Sequence, residues 1–171
     1  MYDLYHCDNT DSSRFILGKN GKKKLFVVGL NPSTANKEES DTTVTKVENV
    51  AKFNGYDGFV MTNLYPLRST DPKELPEDYD KALFDENIEQ IIKSASAGNN
   101  PEFWAAWGEY IILRPYLSES LKTLESAVKD IKGSWLHYGK LLKNGHPRHP
   151  SRLSYGWEFY NFDMSAYLEK L

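Results

Sequence analysis

The sequence lacks the features that secreted proteins, membrane proteins and proteins with cysteine-bound metals require. Its 171 residues include one cysteine, Cys7, so neither an internal disulfide nor a four-cysteine metal centre can form. No apolar run approaches the roughly 20 residues that cross a bilayer. The first residues also lack the basic start and apolar stretch of a signal peptide. We therefore expect a cytoplasmic protein that does not contact a membrane.

The chain also has little net charge, formally -3 at pH 7. That balance argues against strong, non-specific binding to nucleic acid, but it permits a local basic patch, for which Arg148 and Arg152 are candidates. The composition, 40% hydrophobic and 26% charged, is typical of a globular protein, and the length fits one hydrophobic core. We predict a single domain over residues 1–171, present as a monomer.

Strand-like and helical patterns alternate along the chain. Four apolar runs typical of buried strands lie at residues 25–29, 58–63, 102–108 and 134–139. Helical periodicity follows the first three, beginning with residues 42–53. An Asn-Gly step between two early strand-like runs predicts a hairpin. We predict an α/β protein, a three-layer α/β/α sandwich with a central, mainly parallel four-stranded sheet and an N-terminal hairpin.

A conspicuous motif follows each predicted strand, where ligands bind in sheets of this kind. The motifs are "GLNPST", Asn63 at the end of the second strand, "WG" and "GHPRHPSRLS". Asn31 and Asn63 offer amides that can orient a water or bind the edge of a heterocycle. His149 can donate a hydrogen bond to a developing anion. Hydroxyl and guanidinium groups that can hold phosphate oxygens are present at Ser33, Thr34, Ser151, Arg152 and Ser154.

This ordered set resembles the motifs of the uracil-DNA glycosylase superfamily. More closely, "GLNPSTA", "TNLYPLRSTDP", "WG" and "GHPRHP" resemble the family known as domain of unknown function 1643, over nearly the whole chain. The first resemblance implies a DNA glycosylase that needs no metal or other cofactor. Its partner would be DNA with a flipped, modified or damaged pyrimidine, whose N-glycosidic bond it would hydrolyse to leave an abasic site.

The resemblance also implies a role for each residue. Asn31 would orient the attacking water, and His149 would donate to the carbonyl oxygen of the departing base. Asn63 and Ser33 would bind the base. Leu153 would fill the vacated space in the base stack. The residues that would contact the DNA backbone are Thr34, Arg148, Ser151, Arg152 and Ser154.

Two departures from the superfamily's pattern alter these expectations. Asn31 stands where the most active uracil enzymes have an aspartate, and a neutral amide can neither accept a proton nor stabilise a cationic sugar. We therefore expect slower catalysis that depends more on the leaving group. Ser33 stands where those enzymes have a tyrosine that excludes a 5-substituent. The smaller serine implies tolerance of bulky 5-substituents, such as those of some phage DNA, whose excision would be an antiviral defence.

Each motif also has an ordinary structural interpretation. "NPST" is typical of a turn, Asn63 can satisfy loop amides, His149 can be structural, and Asp41 suits a helix cap. The aromatic residue on which a base would stack stays open among Phe53, Tyr65 and Trp107. Two other functions also stay open: a non-catalytic module that binds a modified base or nucleotide, and a hydrolase or transferase of small nucleosides.

Overall fold

A computed structural model describes residues 1–171 and contains seven strands and four α-helices. The strands are β1 (Leu4–Cys7), β2 (Arg14–Lys19), β3 (Lys24–Gly29), β4 (Gly58–Asn63), β5 (Glu102–Ala105), β6 (Ser134–Tyr138) and β7 (Phe159–Asn161). The helices are α1 (Thr42–Phe53), α2 (Lys81–Ala95), α3 (Pro115–Asp130) and α4 (Met164–Leu168). The bounds predicted for α1 and β4 are confirmed. None of the helices is both long and apolar enough to span a membrane.

All seven strands form one sheet in the order β1-β2-β4-β3-β5-β6-β7. The four central strands, β4, β3, β5 and β6, run parallel, as the alternation of strands and helices predicts. Antiparallel strands extend this centre on both sides, with β2 and β1 beyond β4 and β7 beyond β6. The mixed α/β class is therefore confirmed, and the sheet has seven strands where four were predicted.

The predicted hairpin between β2 and β3 is wrong, because β4 lies between these two strands. The turn that joins them passes the start of β4 at very close range. A β-carbon on Gly58 would lie only 2.7 Å from the carbonyl oxygen of Lys19. The Asp57 carboxylate then accepts from the backbone N–H groups of Lys22 and Lys23 (3.1 and 2.6 Å). The N-terminal hairpin of the structure is formed by β1 and β2.

The central strand β3 is buried on both faces, which explains its continuous apolar run. Alternate side chains enter two separate core clusters because successive residues of a strand point to opposite faces. Leu25 and Val27 belong to the cluster that includes α1, and Phe26 and Val28 belong to the cluster that includes α2 and α3. Both faces of the sheet are thus packed, and the loops at the strand ends are left to form a site.

Candidate functional site

A cavity of about 340 Å³ lies at the carboxyl ends of the central strands. Its walls include the loops that follow β3, β5 and β6, which meet because these strands run in the same direction. Six of the residues predicted for the site line it: Asn31, Ser33, Arg148, His149, Ser151 and Arg152. The structure therefore brings the "GLNPST" and "HPSRLS" motifs together around one space.

His149 precedes a short 3-10 turn, Pro150–Arg152, and its ring has a defined partner. The backbone N–H of Ser151 donates to Nδ1 of His149 (3.3 Å), and the Ser151 hydroxyl lies 2.8 Å from the same nitrogen. Because a backbone N–H can only donate, Nδ1 is the acceptor and we assign the ring proton to Nε2. Burial lowers the pKa of His149, so the imidazole is neutral near pH 7. Its Nε2–H is a donor available to a ligand.

Two contacts hold the loop that carries His149. The Nζ of Lys46, on α1, donates to the backbone carbonyl oxygens of Ser151 (2.8 Å) and Leu153 (3.3 Å). On the other side the loop packs against Gly108, where a β-carbon would lie 3.4 Å from the Cβ of His149. Gly108 also has a φ of +73°, which favours glycine. The Trp-Gly motif thus allows the chain after β5 to pass close to the histidine.

The side chain of Asn31 is held through its nitrogen. Nδ2 donates to the backbone carbonyl oxygens of Pro32 (3.0 Å) and Ser69 (2.9 Å), which uses both amide hydrogens. Its Oδ1 has no donor from the protein, so it can accept from a water or a ligand in the cavity. Arg68 stabilises the same loop by donating to the carbonyl oxygen of Ser33 (2.6 Å).

Asn63 ends β4 fully buried and does not line the cavity. Neither its Oδ1 nor its Nδ2 has a hydrogen-bond partner, which is a costly arrangement for a buried amide. Oδ1 of Asn63 and Cε of Met61 lie 2.7 and 2.8 Å from the position that a β-carbon on Gly29 would occupy. Met61 lies on the same face of β4 and lines the cavity. The unpaired amide therefore adjoins the cavity wall beside a flexible side chain.

Besides Asn63, three of the predicted residues do not line the cavity: Thr34, Leu153 and Ser154. Thr34 and Ser154 are exposed. Leu153 is only 8% exposed and belongs to the core cluster that includes α1. A side chain that enters a base stack has to project from the surface, so the wedge role predicted for Leu153 does not fit this structure.

Many residues that the motifs did not assign to the site also line the cavity, among them Arg14, Asp41, Glu109 and Tyr110. Asp41 caps α1, as predicted, because its Oδ1 accepts from the N–H of Val44 (2.8 Å). Its Oδ2 accepts from the N–H of Ala35 (3.3 Å), so both carboxylate oxygens are engaged by the backbone. Arg14 is almost completely buried at the start of β2. The sequence does not indicate this burial, because Arg14 stands in an ordinary strand-like run.

Trp107 is the one aromatic residue among the three left open that lines the cavity. Its indole N–H donates to the hydroxyl of Tyr167 (3.0 Å), which fixes the orientation of the ring. Phe53 is 66% exposed, and Tyr65 is buried in the core. Tyr110, 43% exposed on the turn after the Trp-Gly motif, supplies a second ring at the cavity.

The fold and the cavity define an α/β protein with a polar site at the ends of parallel strands, which combines a neutral histidine, an amide acceptor and three arginines. No group of three or more His, Cys, Asp or Glu side chains is arranged to hold a metal ion. The chain belongs to the family described as Protein of unknown function (DUF1643), whose sequence model matches residues 14–151. The closer of the two resemblances is thereby confirmed. No curated protein and no solved structure matched the chain.

Proposed function

We propose that the protein is a DNA glycosylase that hydrolyses the N-glycosidic bond of a flipped, modified or damaged pyrimidine and leaves an abasic site. The observation that carries this proposal is the hydrogen bonding of His149. With Nδ1 occupied by Ser151 and burial keeping the ring neutral, the Nε2–H remains as a fixed donor in the cavity. A preorganised donor of this kind stabilises negative charge that develops on a leaving group.

The proposed reaction breaks the bond between the sugar C1′ and the base nitrogen, and a water oxygen forms the new bond at C1′. The electron pair of the broken bond leaves with the base, whose carbonyl oxygen accepts from Nε2–H of His149. Oδ1 of Asn31, which has no protein donor, accepts from the attacking water and orients it. The water then loses a proton, and the departing base gains one. No metal or other cofactor takes part in these steps.

The base would stack on Trp107 or Tyr110, and Ser33 would leave room for a substituent at its 5-position. Such bases occur in some phage DNA, so the activity would suit antiviral defence. Asn63 would read the base edge after a shift of Met61, whose unbranched side chain adapts readily. A flipped base would also give the unpaired amide of Asn63 the hydrogen bonds that it lacks.

We propose that a monomer binds DNA by the rim of the cavity. Arg148, Ser151 and Arg152 line that space, and Thr34 and Ser154 are exposed beyond it. Guanidinium and hydroxyl groups are suited to phosphate oxygens, and a local basic rim is compatible with a net charge of -3. Binding of this kind would weaken steeply with added salt.

We also propose that the family is part of the uracil-DNA glycosylase superfamily and that its fold is the three-layer α/β/α sandwich. Two observations support this proposal. The matching motifs follow the parallel strands β3, β4, β5 and β6 in order, and both faces of the sheet are packed. A proposed single domain would then extend over residues 1–171.

The test is incubation of the protein with DNA duplexes that contain uracil, a thymine mismatch, 5-hydroxymethylcytosine or glucosylated cytosine, followed by mass spectrometry of released bases. We expect release of one class of base, with a loss of about 100-fold or more in His149→Ala, as for other electrostatic donors. His6→Ala is the matched control because His6 is half-exposed on β1. Equal rates in His149→Ala and the wild type would refute the mechanism.

The second candidate is a non-catalytic module that binds a modified base or nucleotide. The observation that favours it concerns Asn31, whose side chain is neutral and donates both amide hydrogens to backbone carbonyl oxygens of the surrounding loops. Such a residue can have a structural role without taking part in catalysis. Salt-sensitive binding of modified DNA without any release of base would establish this candidate. Hydrolysis of nucleosides without affinity for DNA would instead indicate a nucleoside hydrolase.

A further inference from the structure

Arg14 is a buried cation without a counter-ion. It is 2% exposed at the start of β2, and the only acceptor for its guanidinium is the carbonyl oxygen of Ala35, which lies 2.9 Å from Nη1. Its Nε is buried without any hydrogen-bond partner, and no carboxylate lies within 4.0 Å of the group. A buried arginine is normally paired, because removing an unpaired charge from water is costly. The structure therefore leaves this guanidinium with unused donors.

Two carboxylates near Arg14, Asp41 and Asp11, favour its charged form, but neither forms an ion pair with it. Asp41, which shares the cavity wall, has both oxygens engaged by backbone N–H groups. Burial and, to a smaller extent, repulsion by Arg68 lower the pKa of Arg14 to about 10, against the opposing effect of the two carboxylates. The group still carries its positive charge at neutral pH. An anion would gain more from such a buried cation than from an exposed one, because little water screens the interaction.

The depth of Arg14 identifies which part of a ligand would reach it. Arg14 lines the cavity from the sheet, together with Met61 of β4, and both side chains are almost fully buried. Arg152 is exposed and Arg148 is half-buried, so these two suit the phosphates of a DNA backbone at the rim. A flipped nucleotide enters a pocket with its base foremost. The group that meets Arg14 would therefore belong to the base.

We propose that Arg14 binds a negatively charged substituent of the base, so that the preferred substrate is an acidic pyrimidine, of which a 5-carboxylate is the simplest. This inference rests on the proposed function, since it takes the cavity to hold a flipped base. Nη2 of Arg14 has no acceptor in the protein and, unlike the enclosed Nε, is the donor available to the substituent. A planar guanidinium and a carboxylate match in geometry.

The test is calorimetric titration of the protein with 2′-deoxyuridine, 5-carboxy-2′-deoxyuridine and 2′-deoxyuridine 5′-monophosphate. We expect the carboxylated nucleoside to bind about tenfold more tightly than 2′-deoxyuridine, as a charge-assisted hydrogen bond predicts. This preference should disappear in Arg14→Gln, persist in part in Arg14→Lys, and remain intact in Lys122→Gln, a control at an exposed cation of α3 that does not line the cavity.

Failure of the carboxylated nucleoside to bind more tightly than 2′-deoxyuridine, including failure to bind at all, overturns the inference without any variant. Equal preference in Arg14→Gln and the wild type also overturns it. If only the monophosphate binds more tightly than 2′-deoxyuridine, Arg14 binds a phosphate and not a substituent of the base, and the inference is overturned. These titrations involve no bond cleavage, so an acid preference without release of base from DNA would leave this inference standing while the proposed glycosylase fails.

Discussion

Replacing Tyr167 by phenylalanine removes one hydroxyl that two buried groups share. The hydroxyl accepts from the indole N–H of Trp107 (3.0 Å) and lies 2.8 Å from Nδ1 of His146. The hydroxyl, which accepts from the indole, also forms a hydrogen bond with Nδ1 of His146, whose direction depends on which ring nitrogen of the histidine carries the proton. Burial raises the pKa of Tyr167 to about 12, so the hydroxyl hydrogen is retained at any ordinary pH. The substitution leaves the indole of Trp107 without an acceptor and Nδ1 of His146 without a hydrogen-bond partner.

The cost follows from the number of groups left unpaired. Each buried polar group that loses its partner costs about 1–3 kcal/mol, so the loss of two partners in Tyr167→Phe should lower the free energy of unfolding by about 2–6 kcal/mol. The Tyr116 hydroxyl serves one acceptor, the Pro76 carbonyl oxygen, which keeps a second donor from Arg114. Tyr116→Phe should therefore cost only about 1 kcal/mol. Tyr155→Phe, at an exposed ring, should cost less than about 0.5 kcal/mol.

Urea unfolding of the wild type and the three variants, followed by far-ultraviolet circular dichroism, measures these differences by linear extrapolation. The order of the costs matters more than their absolute values, because all three changes remove the same atom from the same kind of side chain. A cost for Tyr167→Phe no larger than that for Tyr116→Phe would refute the shared-hydroxyl argument.

Two further predictions concern the loop at the cavity and the histidines. Lys46→Met should raise hydrogen exchange of the loop amides by about tenfold, because Nζ of Lys46 no longer holds two carbonyl oxygens of the loop. Lys52→Met, on the same helix, should leave hydrogen exchange of the loop unchanged. Equal effects of the two substitutions would show that Lys46 does not hold the loop. Burial also lowers the pKa of three histidines: His137, His146 and His149. The folded chain therefore binds fewer protons than the unfolded chain below the usual pKa of 6.5, so the free energy of unfolding should fall as the pH decreases from about 7 to about 5. A flat profile in urea unfolding at each pH would contradict this, and the slope should shrink when any of the three becomes glutamine.

The centre of the fold could be predicted because its signals are local. A strand buried on both faces has a continuous apolar run, as β3 and β4 have, and α1 has both a helical period and a capping aspartate, Asp41. The edges of the sheet have no such signal, because β1 has four residues and β7 has three, most of them partly exposed. The pairing of β2 was predicted incorrectly because its neighbour, β4, comes much later in the chain.

The same distinction applies to the cavity. Asn31, Ser33 and His149 stand in polar loop motifs that follow parallel strands, so the direction of the strands brings them together. Arg14 begins a strand whose other residues are apolar, and an arginine there is ordinarily exposed at a sheet edge. Its side chain is buried against the loop after β3, where the carbonyl oxygen of Ala35 accepts from Nη1, and no local sequence pattern indicates this contact. Leu153 shows the converse, because the resemblance implied a wedge that projects from the surface and the structure buries the side chain.

Asn31 and Arg14 together determine whether the proposed reaction is assisted at the sugar or at the departing base. The neutral amide of Asn31 cannot stabilise a cationic sugar, so departure of the base has to be assisted on the leaving-group side. An acidic substituent makes this departure harder, because negative charge accumulates on a base that already carries one. Arg14 would offset that charge where water screens it little, while Nε2–H of His149 stabilises the carbonyl oxygen. The preference for an acidic pyrimidine would then affect the rate of bond cleavage as well as the affinity.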